Sequence, residues 1–362
     1  MKKLIIRGME ARQFAKKLIG WYRQHQRPLP WRETKDPYHI WLSEIILQQT
    51  RVQQGLPYYE KFIGEFPTVH DLARAPEQKV LRLWQGLGYY TRARNLHACA
   101  RKVAHEFGGS FPLVYADLLT LPGIGDYTAA AIASIAGNEP VAVVDGNVFR
   151  VLSRVFGIDT PINSTEGKKA FTKLANQLIP ESNPDDFNQG MMEFGALHCT
   201  PRNPSCVTCI FNKECIARSR GLQADLPVKL KATRNRTRYF SYYIIKQGNS
   251  LMMQARTGKD IWSGLYEFYL LEQKRVRKPE NLLQEDDWLR SLLRLGEVSR
   301  VTKPYRHVLS HQTIISRAVV IELKKKPASY PETLQFYSMK KVHDLPKPVL
   351  ISRFLYDLHL LS

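Results

Sequence analysis

Residues 121–137 read LPGIGDYTAAAIASIAG. A short helical pattern over 115–119 precedes this stretch and a strong one over 127–136 follows it, with Pro122, Gly123 and Gly125 at the join. Two glycines two apart allow a tight, partly left-handed backbone. Such a backbone presents consecutive N–H groups beside a helix N-terminus, a ready seat for a phosphate. The plain alternative is an ordinary helix–helix turn, which the glycines alone would not displace. The bulk charge tips the balance: 53 Lys+Arg stand against 33 Asp+Glu in 362 residues, a formal net charge of +20. An excess of that size points to a polyanionic partner, most often nucleic acid. Residues 115–137 are therefore read as a helix-hairpin-helix in which Gly123 and Gly125 approach DNA phosphates, contacts that fix register without reading sequence.

Outward from the hairpin, residues 9 to 217 read as helical almost throughout. In WLSEIILQQTRVQQGLPYYEKFI (41–63) the apolar residues Trp41, Leu42, Ile45, Ile46 and Val52 follow one helical period. Similar patterns cover 77–84, 91–107, 146–156 and 168–179, punctuated by Gly and Pro. Between Arg218 and Arg238 seven Lys/Arg face one Asp without a clear period, so 218–236 reads as a basic linker. Beyond it, 237–362 reads as α+β: YFSYYIIK, a QGNS turn and LMMQAR form a hairpin; 279–295 is helix-like; RHVLSHQTIISRAVVIEL gives strands about a tight turn; 346–361 closes as a helix. The expected architecture is a mainly α region, 1–217, followed by an α+β domain. The apolar stretch Leu4–Ile6 is broken by Arg7, and no run approaches the roughly 18 residues of a membrane span. A cytoplasmic protein with no membrane partner is expected.

Cys199, Cys206, Cys209 and Cys215 give the spacing C-x6-C-x2-C-x5-C. Structural zinc usually takes two close-spaced pairs; here only one short pair exists, flanked by longer arms, which suits the separated corners of one [4Fe-4S] cluster better. Zinc and unligated thiols remain the alternatives. The fifth cysteine, Cys99, reads as a small core residue. At 141–150, VAVVDGNVFR runs four residues that favour burial into Asp145. Asp is a favoured N-cap, and N–H groups at a helix end would lower its pKa and keep it ionised.

The hairpin, the VDGN about twenty residues later and the cysteine spacing together resemble the endonuclease III, or helix-hairpin-helix, superfamily of base-excision DNA glycosylases. PLPWR (28–32), SEIILQQTRV (43–52), WQGLGYYTRARNLH (84–97) and FNQGMMEFGALHCTP (187–201) resemble its adenine-excising branch, as does the presence of a C-terminal domain. The resemblance implies a six-helix barrel with a cluster loop at 199–215, then a Nudix-like domain over 237–362. It implies a monofunctional enzyme that hydrolyses the glycosidic bond of adenine opposite 8-oxoguanine or G in double-stranded DNA, acting as a nucleoid-associated bacterial monomer. Glu44 falls on the proton donor, placed to protonate N7, and Asp145 on the anion beside C1′, with Asn147 helping to hold it. Tyr127 stands where bifunctional relatives carry a lysine; a phenol cannot form the Schiff base that cuts the strand. Gln49 and Tyr89 match residues that wedge into the base stack. Arg27, Trp31, Arg32 and Leu47 fall where the adenine pocket forms. Leu309, Ser310 and His311 match the lesion-reading tip, with Leu309 where Phe is common. LLEQKRVRKPENLLQEDDW (270–288) lacks the Gly-led, Glu-studded helix of a hydrolytic Nudix domain, so pyrophosphatase chemistry is excluded. The competing functions are a glycosylase/lyase for oxidised pyrimidines and a non-catalytic iron–sulfur protein that binds DNA or senses redox state.

Overall fold

The computed structural model describes residues 5–6, 9–231 and 236–361. Leu4 of the N-terminal apolar stretch and residues 232–235 of the expected linker lie outside them. The chain divides into two compact units, Met1–Arg74 with Asn95–Ala232, and Ala75–Arg94 with Thr233–Ser362. The helical region expected over 1–217 is thus interrupted by a segment that clusters with the C-terminal residues. Within that second unit Gln78 Nε2 donates to the Tyr266 hydroxyl at 3.1 Å, Gln85 Nε2 to Ser352 Oγ at 3.2 Å, and Arg94 to the Ser263 carbonyl.

The first unit is helical. After the short strands β1 (Ile5–Ile6) and β2 (Met9–Glu10) come α1 (Ala11–His25), α2 (Pro37–Leu47), α3 (Val52–Glu65) and α4 (Val69–Arg74). The single period expected across 41–63 is broken at Gln48–Arg51, where Gln49 turns left-handed at φ 58°. Helix α2 is buried on every side. It starts with Pro37 behind Asp36, whose carboxylate accepts from Tyr38 N at 2.8 Å, a cap that meets one orphan donor. Past α5 (Glu77–Leu83) and α6 (Thr91–Glu106), the hairpin consists of α7 (Tyr115–Leu118) and α8 (Asp126–Ile135). Of the two hairpin glycines Gly123 is left-handed, at φ 74°, while Gly125 is extended and N-caps α8, in keeping with the partly left-handed backbone expected there. Buried alanines along α8 let it pack closely on α2.

Then follow α9 (Gly146–Phe156), α10 (Thr165–Leu178), α11 (Pro184–Leu197) and α12 (Ile216–Arg220). Residues 221–231 do not run free as a linker would. Ile162 N donates to Val228 O, and Asn163 exchanges two hydrogen bonds with the Leu230 backbone.

In the second unit β3 (Arg236–Gln247) turns through Gly248 into β4 (Ser250–Ala255), the expected hairpin. The short β5 (Tyr266–Glu267) pairs with β4, and β6 (Tyr269–Gln273) with β3. The expected helix over 279–295 is two, α13 (Pro279–Glu285) and α14 (Asp287–Leu292). Next come β7 (Gly296–Val301), β8 (Tyr305–Val308), β9 (Gln312–Leu323), β10 (Gln335–Ser338), α15 (Met339–Asp344) and α16 (Val349–Asp357). The mixed sheet runs β10-β4-β3-β9-β7, with β3 and β9 parallel from Arg236↔Gln312 to Gln247↔Leu323. Apolar clusters cover both faces, one including α16 and the other α13 and α14, which is why its central strands read as continuous apolar runs.

Candidate active site

The segment 141–144 is held by side chains rather than by a neighbouring strand. Asn176 Oδ1 accepts from Ala142 N at 2.9 Å, and Asn188 Oδ1 accepts from Val143 N at 3.0 Å. The Asn188 amide, fully buried, also donates to Val141 O and to Ser134 Oγ, both at 2.8 Å. Asp145 then caps α9: its Oδ1 accepts from the backbone N–H groups of Asn147 (2.9 Å) and Val148 (2.8 Å), and Oδ2 accepts from Asn147 Nδ2 (2.8 Å). The cap was expected to depress the Asp145 pKa. Instead burial dominates and pushes it up, with the three hydrogen bonds and Arg150 limiting the rise. Arg150, unforeseen in the sequence, donates to Asn147 Oδ1 (2.7 Å), Gly195 O (2.6 Å) and Cys199 O (2.7 Å). By engaging the amide oxygen of Asn147 it orients that amide with its NH2 group toward Asp145.

Glu44 lies on α2 among apolar neighbours and is 8% exposed. Burial pushes its carboxyl up to about 7; a hydrogen bond with Tyr127 and the charge of Arg32 pull it down, while the charge of Asp145 adds to the rise. The Tyr127 hydroxyl lies 3.1 Å from Met192 Sδ and can instead donate to an ionised Glu44, the hydrogen bond that lowers the Glu44 pKa. Burial holds the phenol far above its ordinary pKa, with the Glu44 and Asp145 charges adding to the rise. One turn beyond Glu44, Gln48 Nε2 donates to Thr128 Oγ1 at 3.3 Å, tying α2 to α8.

A cleft of about 870 Å³ opens over these groups. Glu44, Tyr127, Asp145 and Asn147 line it together with Arg27, Trp31, Arg32, Leu47 and Gln49. The sequence missed a further lining residue, Glu193 on α11, whose side chain is 1% exposed. Arg27 reaches it through Nε (2.8 Å) and Nη2 (2.6 Å), and Arg32 through Nη1 (3.0 Å) and Nη2 (2.8 Å). Burial alone would raise its pKa, but these paired forks overcome that and hold it at about 2. The available signal was a Glu in the otherwise uncharged stretch FNQGMMEFGAL, with two arginines upstream needing a counter-ion. Trp31 forms a wall of the cleft, set edge-on to Tyr59 with ring centroids 5.0 Å apart.

Gln49 and Tyr89 are both exposed and both left-handed, at φ 58° and 50°. Non-glycine residues seldom adopt that backbone, and such strain collects at functional sites. In the second unit Leu309 N donates to Gln312 O at 2.8 Å, closing the turn between β8 and β9. Ser310 and His311 are exposed at its tip, whereas Leu309 packs back on the core.

The four clustered cysteines are free and half-buried, and burial pushes the Cys199, Cys209 and Cys215 thiols up, with the charge of neighbouring cysteines adding to the rise. Arg154 Nη1 donates to Cys199 Sγ at 3.5 Å and Phe211 N to Cys209 Sγ at 3.4 Å, donors that suit anionic sulfur ligands. Among the described residues no three His, Cys, Asp or Glu side chains stand close enough to share a single metal ion. Arg150 and Arg154 lie one turn apart on α9, and both bind carbonyls of 199–201.

A sequence profile of the HhH-GPD superfamily of base excision DNA repair proteins matches residues 42–180, and a NUDIX domain profile matches 241–356. An adenine DNA glycosylase of Buchnera aphidicola is 33% identical over 342 residues, 93% of this chain and 96% of that protein. The mouse adenine DNA glycosylase is 34% identical across 87% of this chain and 72% of its own length. Among solved structures, a thermostable thymine-DNA glycosylase aligns with TM-score 0.54 and 33% identity, covering 58% of this chain and 97% of that one. An endonuclease III chain trapped on DNA shares the fold at TM-score 0.51 and 20% identity, covering 59% of this chain and 99% of that one. With Glu44 and Asp145 lining one cleft and its sequence aligned nearly end to end with an adenine DNA glycosylase, this chain belongs to the adenine DNA glycosylase family and is a base-excision DNA glycosylase.

Proposed function

We propose that the protein removes adenine lying opposite 8-oxoguanine or G in duplex DNA and leaves an abasic site with the strand intact. The observation that supports this most is that one cleft holds two carboxyls in different surroundings, Glu44 buried on α2 and Asp145 on three hydrogen-bond donors. Glu44, lifted to about 7 by burial, holds a proton at neutral pH and delivers it to the leaving purine at N7. Asp145 accepts three hydrogen bonds, which stabilise its anion against the burial that opposes it, so the carboxylate faces the cationic sugar as the bond breaks. Asn147, oriented by Arg150, holds that carboxylate in place. Glu193 stays ionised between Arg27 and Arg32 and accepts from the exocyclic amine of adenine, which selects against a base lacking that donor. Tyr127 offers no amine, so no Schiff base forms there. Gln49 and Tyr89 fill the space left by the flipped base, Gly123 and Gly125 take the DNA backbone, and Ser310 and His311 read the opposite base with Leu309 packed beneath them. Cys199, Cys206, Cys209 and Cys215 would hold one [4Fe-4S] cluster, which when bound cross-links the loop they share. The protein works as a monomer on the bacterial nucleoid.

The deciding assay offers duplexes with A opposite 8-oxoguanine, G, C or T, developed with and without alkali. Alkali-dependent breaks with the first two only are expected. Breaks without alkali, efficient borohydride trapping or intact adenine would overturn the proposal. Iron and sulfide at four each per chain are expected from metal analysis, and zinc in their place would remove the cluster assignment.

A further inference from the structure

Tyr89 poses a physical problem. It is a large ring, 49% exposed, on left-handed backbone immediately after Gly86 (φ 105°) and Gly88 (φ 73°). A chain of that composition has many alternatives in solution, and a strained conformer persists only where its surroundings determine it. Two residues do so. Trp84, fully buried, donates Nε1–H to the Gly88 carbonyl at 3.0 Å. Arg92 Nη2 reaches the same carbonyl at 3.3 Å and the Leu87 carbonyl at 3.4 Å. The Arg92 guanidinium also lies over both rings, 5.1 Å from the Trp84 centroid and 5.6 Å from that of Tyr89. It therefore sits as a plate between a fixed indole and an exposed phenol.

Arg92 is the second residue of α6. A cation in the first turn opposes the helix dipole, so electrostatics within the helix do not account for it. Burial lowers its pKa to about 10, a further sign that the guanidinium has given up water for these contacts. Lysine could not replace it, because an ammonium has neither a planar face nor a fork.

We infer that Arg92 is a positioning residue for Tyr89, fixing both the ring and the carbonyls beneath it in the form that enters the base stack. The inference rests on the reading of Tyr89 as a wedge. The main rival is that Arg92 simply contacts a DNA phosphate. In that case its charge is what matters.

Single-turnover adenine release and the fluorescence of 2-aminopurine next to the target separate these ideas. The duplex carries A opposite 8-oxoguanine, and the enzymes are wild type, Arg92→Met, Arg92→Lys, Tyr89→Ala and the Arg92→Met/Tyr89→Ala double variant. Thermal melting of each confirms that it folds. Loss of positioning should lower both readouts by about tenfold in Arg92→Met and nearly as much in Arg92→Lys. With Tyr89 already removed, Arg92→Met should change them by less than about twofold, the non-additivity of coupled neighbours. Near-wild-type behaviour of Arg92→Lys, or a full additional loss in the double variant, overturns the inference in favour of a charge or general structural role. A wild-type Tyr89→Ala instead overturns the wedge reading itself. If Arg92→Met does not fold, Arg92→Lys alone and with Tyr89→Ala carries the same comparison.

Discussion

A carboxyl buried in α2 is comfortable only while it is neutral, and Glu44 makes the consequence measurable. Its folded pKa of about 7 lies above the ordinary 4.5, so the folded state binds this proton more tightly than the unfolded one. The resulting stability is complete below pH 4.5 and is lost as pH rises toward 7. Glu44→Gln abolishes that loss. It should unfold at the same or higher urea concentration than wild type, with an advantage that grows from pH 5 to pH 8 toward roughly 3 kcal/mol. The same variant should release base at least about a hundredfold more slowly. Wild-type release should fall above pH 7 as the proton leaves. Asp145→Asn keeps a good cap and should stay within about 1 kcal/mol of wild-type stability, yet slow release by about 100- to 1,000-fold. Removing the Asp145 charge also lets the Glu44 pKa drop, so the residual activity should lose its alkaline limb at lower pH. Glu44, Asp145 and Asn147 were legible as residue types in a recognised pattern. Glu193 was not, because its partners Arg27 and Arg32 lie more than 160 positions upstream; nor was Arg150, because the Gly195 and Cys199 carbonyls that hold it beside Asn147 lie more than 40 positions away.

At the scale of elements, periodicity located most helices, since most of them bury one apolar face. It failed where backbone geometry intervenes: the pattern through 41–63 continues in sequence while Gln49 turns the chain, separating α2 from α3. It also could not pair β3 with β9 in parallel, because apolar strands covered on both faces carry no register signal. The hairpin offers a direct test. A Cβ on Gly123 would meet Asn95 Cβ at 2.6 Å, at a residue with φ 74°. Gly123→Ala should destabilise the protein by about 1–3 kcal/mol in thermal or urea unfolding and weaken DNA binding. An equivalent change at Gly125, extended and with nothing within 4 Å of its Cβ position, should leave stability nearly unchanged.

For the whole molecule, the charge of +20 makes ionic strength the main control on DNA affinity. Filter binding to undamaged duplex should weaken by on the order of a thousandfold between 50 and 200 mM salt, while the single-turnover rate of bound enzyme changes little. The composition foretold the polyanion but not the division of the fold, in which 75–94 joins residues more than 130 positions later. One last consequence follows from the seat of Asp145. Because Asn176 and Asn188 hold the backbone of 141–144 rather than its side chains, the instructions for that segment's shape are written in two distant helices. Exchanging one apolar residue for another of like volume at 141–144 therefore leaves those hydrogen bonds intact, while a single amide lost from α11 would loosen a loop whose own letters never changed.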